Sequence, residues 1–116
     1  MESEHAAKEV QNVLLKVGIP PNLLGFMYIA YAEELALNDE DYLRNLTKCM
    51  YVDIAKKFHT TPSSVERCIR HAISVGLTYG SHDFIDFLFQ NSLNQHKGMP
   101  TNSQFISRIY FYLLDK

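Results

Sequence analysis

One stretch of the chain places basic, acidic and hydroxyl side chains at helical spacing on either side of a short polar turn. Lys56 and Lys57 precede this turn, and Glu66 and Arg67 follow it. Arginine can bond a guanine at O6 and N7, glutamate can accept a hydrogen bond from the amino group of cytosine, and lysine neutralises phosphate groups. The stretch therefore predicts a surface that reads double-stranded DNA.

The second half of this stretch predicts a helix with two faces, because its apolar and polar residues separate at the 3.6-residue period. The apolar stripe would pack on the core and contains Val65, Cys68, Ile69, Ala72, Ile73 and Gly76. The opposite face has the chemistry of base-edge readout and contains Ser63, Ser64, Glu66, Arg67, Arg70, His71 and Ser74.

A DNA-reading helix needs a supporting helix that meets it at a steep angle through a short turn. The residues before the turn meet that need, because Ala55 is small enough for a close crossing and Ile54 and Phe58 offer apolar contacts. Lys56 and Lys57 are placed where such a first helix crosses the phosphate backbone. We therefore predict a helix-turn-helix over about residues 51–76, with helix 62–76 in the major groove.

The turn itself carries recognisable signals. Thr61 can cap the exposed N–H groups of the second helix, and we also assign it to the backbone contacts. Pro62 suits the first helical position and disfavours helical geometry at Thr61. His59 tolerates a positive φ better than most residues, so we expect it to hold the left-handed position.

The distribution of charge agrees with a nucleic-acid surface. Residues 48–71 carry five basic and two acidic side chains, a net charge of +3, whereas the whole chain carries −2 and the remainder therefore −5. A basic segment on an acidic body is typical of proteins that bind nucleic acids through one face.

Other kinds of chemistry find little support. The cysteines Cys49 and Cys68 form no CxxC pair, and no histidine is spaced for a zinc site with a second histidine and a carboxylate. No glycine-rich phosphate loop or nucleophile motif is present. We expect no catalytic residue, no metal, no cofactor and no enzymatic activity.

The whole chain reads as one all-α domain over residues 1–116, with about six helices around one core. Glycine, proline and polar breaks limit the predicted helices, and a loop is expected over 91–100. The third predicted helix is either continuous or broken near Leu46 and Thr47. The predicted helices cover residues 3–17, 21–37, 42–58, 62–77, 82–89 and 102–114.

Neither a secretory signal nor an apolar stretch of membrane-spanning length is visible. The longest apolar stretch, 23–32, is far too short to span a bilayer. We therefore expect a cytoplasmic, nucleoid-associated protein with no membrane partner.

Three segments closely resemble the C-terminal effector domain of stage 0 sporulation protein A, a response regulator of endospore formation. They are residues 51–58, the run 65–73 with its Val-Glu-Arg and Ile-Arg-His-Ala-Ile motifs, and residues 100–106 with Pro-Thr-Asn-Ser. A weaker similarity extends the match to about residues 10–114. The resemblance implies six helices with the helix-turn-helix in the third and fourth, and a transcription factor that reads an AT-rich box around a TGTC core.

The resemblance also implies roles for single residues. Glu66 and Arg67 match base-reading positions, Ser63 matches a position at the helix start, and Arg70 and His71 match positions near the DNA backbone. The segment of about 78–89 resembles the surface that contacts the sigma factor of RNA polymerase.

The sequence departs from that family at several positions. Ser64 stands where an arginine is usual, which removes a charge from the predicted reading surface, although we keep Ser64 among the base-reading candidates. His59 replaces an asparagine, Pro62 an alanine and Val52 a proline. The alternating strands and helices of a receiver domain are absent from these 116 residues, so phosphorylation is not expected to control this chain directly.

One alternative function stays open at this point. Ser64, the acidic remainder and the aromatic residues 110–112 of the last helix also fit a protein-interaction module that has kept the fold and lost specific DNA reading. The last helix would then provide a surface for a homodimer or be exchanged between chains, although the same apolar residues also fit a core helix.

Overall fold

A computed structural model describes residues 2–89 and 99–115. This part of the chain contains no strand, and the predicted all-α class is confirmed. A 3-10 helix over Glu40–Arg44 and a π-helical turn over Leu46–Met50 lie between the second and third α-helices. The α-helices are α1 (Glu2–Val17), α2 (Leu24–Asn38), α3 (Tyr51–Phe58), α4 (Pro62–Tyr79), α5 (His82–Phe89) and α6 (Asn102–Leu114).

Most helix boundaries follow the sequence prediction, and the differences have local causes. The second helix begins at Leu24, because residues after Pro20 first form a turn in which the N–H of Leu23 donates to the carbonyl of Pro20. The predicted third helix is broken at Asn45, where φ and ψ are −138° and 54°. The predicted loop over 91–100 lies outside the described residues except for its last two.

Helix α2 is the centre of the packing, because it contacts α1, α4 and α6. It approaches α4 closely at Gly25, where an added Cβ would lie 2.2 Å from the carbonyl oxygen of Cys68 and 2.6 Å from the Cβ of Ala72. Any larger residue would push the two helices apart. The position of α4 on the core therefore depends on a glycine of α2.

Helix α6 is held to the core along one side. Phe105, Ile106, Ile109 and Tyr110 are buried, whereas Phe111 is exposed. The hydroxyl of Tyr110 donates a 3.0 Å hydrogen bond to Glu40. The last helix therefore contributes to the core within this chain, as one of the two sequence interpretations expected.

One charged residue lies inside the core. Glu33 of α2 is fully buried, and its two carboxylate oxygens have no hydrogen-bond partner among the described residues. Burial raises the pKa of this carboxyl well above its usual value, because a charge without partners is costly in an apolar interior. Burial in the core therefore favours the neutral form of the Glu33 carboxyl.

In the described parts of the chain, no helix combines the length and the apolar character needed to cross a membrane.

Candidate nucleic-acid interface

The connection between α3 and α4 has the geometry that its sequence predicts. His59 occupies the left-handed region with φ 58° and ψ 49°, and Thr61 is extended. The Oγ1 atom of Thr61 accepts a 3.1 Å hydrogen bond from the N–H of Ser64, and Pro62 begins the helix. The predicted cap, proline position and left-handed residue are all confirmed.

Helix α4 buries the stripe that its sequence pattern indicates. Val65, Ile69, Ala72, Ile73 and Gly76 are buried. Cys68 is only partly buried and is a free thiol. On α3, Ile54 and Ala55 are buried as expected. Helices α3 and α4 therefore pack together through apolar residues, and the opposite side of α4 faces solvent.

Phe58 at the end of α3 makes a contact that the sequence did not indicate. Its ring centroid lies 5.3 Å from that of Tyr28 and 5.7 Å from that of Tyr31, both on α2. Tilted and edge-on ring pairs at these distances are favourable. The end of α3, and with it the start of the turn, is therefore fixed against α2.

The polar side of α4 is called the reading face here and consists of Ser63, Ser64, Glu66, Arg67, Arg70 and His71. Ser63, Arg67, Arg70 and His71 are exposed, and Ser64 and Glu66 are half-buried. The structure thus brings all predicted base-reading residues onto one side of the first two turns of a capped helix. Arg67 has no ion pair within the described residues, so its guanidinium is open to a ligand.

Glu66 and Arg70 contact each other on this face. Their side chains form an ion pair one helical turn apart, with Arg70 donating to the carboxylate of Glu66. Both side chains are partly exposed, at 39% for Glu66 and 51% for Arg70. Exposed pairs of this kind are weak, so a ligand can separate them at little cost.

The two lysines of α3 differ in their surroundings. Both are exposed in the last turn of the helix. The Nζ atom of Lys57 lies 5.6 Å from the ring centroid of Tyr31. Burial raises the pKa of Glu34, and the positive charge of Lys57 acts against this shift. Lys57 therefore leans towards α2, whereas Lys56 has no such contact among the described residues.

One of the two acidic residues of the basic segment, Asp53, forms its hydrogen bond away from the reading face. Asp53 accepts a 2.5 Å hydrogen bond from the hydroxyl of Tyr42. This bond, with partial burial and the nearby carboxylates, raises the pKa of Tyr42 to about 12. Asp39, Asp41 and Cys49 line the same 210 Å³ depression. The described residues nevertheless include no group of three side chains able to hold a metal ion.

Two residues that support the reading face were not among the predicted site residues. The side-chain amide of Asn102, the first residue of α6, donates 3.1 Å hydrogen bonds to the hydroxyl of Tyr51 and to the backbone carbonyl of Glu66. Burial raises the pKa of Tyr51, and the bond from Asn102 acts in the opposite direction. The signal that could have found Asn102 is its place in the Pro-Thr-Asn-Ser run.

A second exposed surface lies on α5 and α6. Phe84, Phe87 and Tyr112 form an aromatic cluster with centroid distances of 5.7 to 6.2 Å. Phe87 is 53% exposed, and Phe111 and Leu114 of α6 are also exposed.

Comparison with known protein families gives one match that covers most of the chain. A family model described as "Sporulation initiation factor Spo0A C terminal" matches residues 10–113. The matched region includes the whole of α2 to α5 and all of α6 except Leu114. The resemblance that the three sequence segments indicate is therefore confirmed.

Proposed function

This chain belongs to the family of sporulation initiation factor Spo0A C-terminal domains, DNA-binding effector domains of sporulation regulation, and we propose that it reads a specific DNA sequence through α3 and α4. In this proposal the two helices act as a helix-turn-helix, and residues 62–76 of α4 enter the major groove. The family is one of DNA-binding domains and not of enzymes.

The observation that carries the proposal is Arg67, which is exposed, has no ion pair with any described residue and lies beside Glu66 near the start of a capped helix. Recognition helices in helix-turn-helix proteins contact base edges with their N-terminal residues. The cap at Thr61 and the buried stripe of α4 hold this end of the helix at the surface. Arg67 is therefore available for a bidentate bond to guanine.

The proposed target is the TGTC-type box that the family resemblance implies. Arg67 would bond a guanine of this core, and Glu66 would accept from a cytosine amino group. Ser63 and Ser64 are close to the helix start and would add hydrogen bonds of either polarity. Because Ser64 is uncharged and short, it would tune the preference for the bases that flank the TGTC core of the box.

The remaining polar residues would hold the duplex by its phosphates. Lys56 and Lys57 extend from the end of α3, Thr61 lies at the turn, and Arg70 and His71 follow on α4. Phosphate contacts fix the register of a protein on the duplex but carry no sequence information of their own. Lys56 is the stronger candidate of the two lysines for a phosphate contact, because the Nζ atom of Lys57 already lies near the ring of Tyr31.

The proposal is tested by fluorescence-anisotropy titration of the full chain with a duplex that carries the TGTC box in an AT-rich context. A duplex of the same composition in scrambled order is the control, and both are measured at about 50 and 200 mM salt. We expect binding to the box to be tighter by at least about tenfold. Equal and strongly salt-dependent binding to both duplexes would contradict specific reading, and absence of binding would favour the interaction module.

Two protein partners are part of the proposal. The segment of about 78–89 would contact the RNA polymerase sigma factor, and the exposure of Tyr79 and Phe87 supports a contact there. A homodimer through the last helix would use Phe111 and Leu114, which are exposed on α6. Sedimentation at several concentrations tests the dimer, and a monomer at every concentration would exclude it.

A further inference from the structure

The amide of Asn102 joins three helices at one point. It donates to Tyr51 at the start of α3 and to the backbone carbonyl of Glu66 on α4, while Asn102 itself begins α6. A backbone carbonyl can only accept, so the nitrogen of the amide must face it and the orientation of the side chain is fixed. Asn102 is only 9% exposed, and its bond to Tyr51 is buried while its bond to Glu66 is partly buried.

Contacts at the start of α6 fix the position of Asn102, which donates both hydrogen bonds. Thr101 and Gln104 form a reciprocal cap at the start of α6, with a 3.1 Å bond from the Gln104 N–H to Thr101 Oγ1 and a 2.9 Å bond from the Thr101 N–H to Gln104 Oε1. Pro100 and Phe105, on either side, are buried. The position of Asn102 is therefore set by α6, and not by the helix that it contacts.

The acceptor is the backbone of a base-reading position. A shift of the carbonyl of Glu66 moves the Cα atoms of Glu66 and Arg67 with it, since the two residues share that peptide group. The apolar stripe of α4 and its contact with Gly25 hold the helix on α2, but apolar contacts are not directional. A hydrogen bond from a second direction restricts rotation and sliding of the helix.

We propose that Asn102 is a positioning residue for DNA reading, which sets the placement of Glu66 and Arg67 by anchoring the α4 backbone to α3 and α6. The effect on DNA rests on the proposed function, whereas the effect on the free protein does not. Base contacts need side chains within about 0.5 Å of their productive geometry, which rigid supporting contacts provide. Asn102 acts through α4 and needs no contact with DNA.

The test replaces Asn102 with leucine, which keeps the branching of the side chain and the net charge but removes both donors. In the full chain without DNA, ¹H–¹⁵N spectra should show shifted amide signals for Ser64 to Arg70. With DNA, the ratio of affinities for the TGTC box and the scrambled duplex should fall by about tenfold, as expected for a weakened base contact. Binding to the scrambled duplex and its salt dependence should stay unchanged.

A purely stabilising role would give a different result. Val13→Ala, a core substitution on α1, serves as the control because it also lowers thermal stability. It should leave the affinity ratio unchanged at a temperature where both variants are folded. Equal ratios for wild type and Asn102→Leu, with unshifted α4 amides, would overturn the proposal.

A second variant keeps the test decisive if the leucine variant does not fold. Asn102→Asp retains an acceptor for the hydroxyl of Tyr51 but cannot donate to Glu66, and an acidic residue is favourable at a helix N-terminus. Ser103→Asp adds the same charge one residue later and leaves the amide of Asn102 in place. We expect a lower affinity ratio for Asn102→Asp than for Ser103→Asp, and equal ratios would overturn the proposal. If the wild type itself does not discriminate between the duplexes, the proposed function fails. The amide shifts of α4 in the free protein then still show whether Asn102 positions this helix.

Discussion

Glu66 and Arg70 form an ion pair on the exposed side of α4, so a proposed base-reading residue and a proposed phosphate-contacting residue are partners in the free protein. The carboxylate orients the guanidinium and also reduces the net positive charge of the reading face. DNA binding would exchange this pair for contacts to a base and to a phosphate.

Replacement of Glu66 by alanine should lower specificity and raise general affinity. The variant loses the acceptor for cytosine, and Arg70 gains freedom to bond a phosphate. In anisotropy titrations we expect weaker discrimination between box and scrambled duplex, together with tighter binding to the scrambled duplex at low salt. Glu9→Ala on α1 removes the same charge from another helix and should leave the discrimination intact. If Glu66→Ala bound both duplexes as the wild type does, Glu66 would have no part in reading.

Replacement of Arg67 by alanine should weaken binding to the box selectively. The loss of one bidentate base contact costs about 1–3 kcal/mol, or roughly fivefold to 150-fold in the dissociation constant. Arg44→Ala is the matched control, because Arg44 is exposed on the 3-10 helix and pairs with Asp41. Unchanged affinity of Arg67→Ala for the box would show that the reading face is assigned to the wrong residues.

Replacement of Lys56 by alanine should weaken binding to every duplex by the same factor. A lysine that neutralises one phosphate contributes about 0.9 to the slope of log K against log salt concentration, and that slope should decrease by this amount. Lys8→Ala removes an exposed charge from α1 and should leave the slope unchanged. A loss confined to the box would contradict a phosphate contact at Lys56.

The buried Glu33 predicts a stability that falls as pH rises. Burial raises its pKa, so the folded chain keeps the proton at pH values where the unfolded chain, with a carboxyl pKa near 4.5, has lost it. The contribution of the protonated Glu33 carboxyl to the free energy of unfolding is complete below about pH 4.5 and is lost progressively as the pH rises above it. Urea unfolding between pH 4.5 and 8 measures the effect.

Glu33→Met should remove this dependence and raise the free energy of unfolding at pH 7 by roughly 1–3 kcal/mol, the cost of an unsatisfied buried polar group. Methionine has a similar length and no group to satisfy. Asp86→Asn, on the exposed side of α5, is the control and should keep the slope of the wild type. If Glu33→Met kept the pH dependence of the wild type, the assignment to Glu33 would be refuted.

Several features could be read from the sequence because they depend on residues within one or two helical turns. The cap at Thr61, the proline at Pro62 and the left-handed His59 each follow from local backbone sterics and hydrogen bonding. The division of α4 into a buried stripe and an exposed reading face follows from the helical period. The ion pair of Glu66 and Arg70 is of the same kind, since residues four apart are neighbours on any helix.

Other features depend on which helices meet, and the sequence alone did not decide them. Asn102 reaches the carbonyl of Glu66 across 36 residues of chain, and Phe58 packs against two tyrosines of α2. Lys57 leans on Tyr31 while Lys56 does not, although the two look equivalent in the sequence.

The physical reason for this division is the range of the interactions. Helix propensity, capping and periodicity act between residues close in sequence, so the sequence by itself determined the helices, the turn and the exposed character of the reading face. The support behind that face comes from directional contacts between separate helices. Their partners are selected only when all the helices pack together around α2, so only the tertiary structure decided that Asn102 and Tyr51 stand behind Glu66.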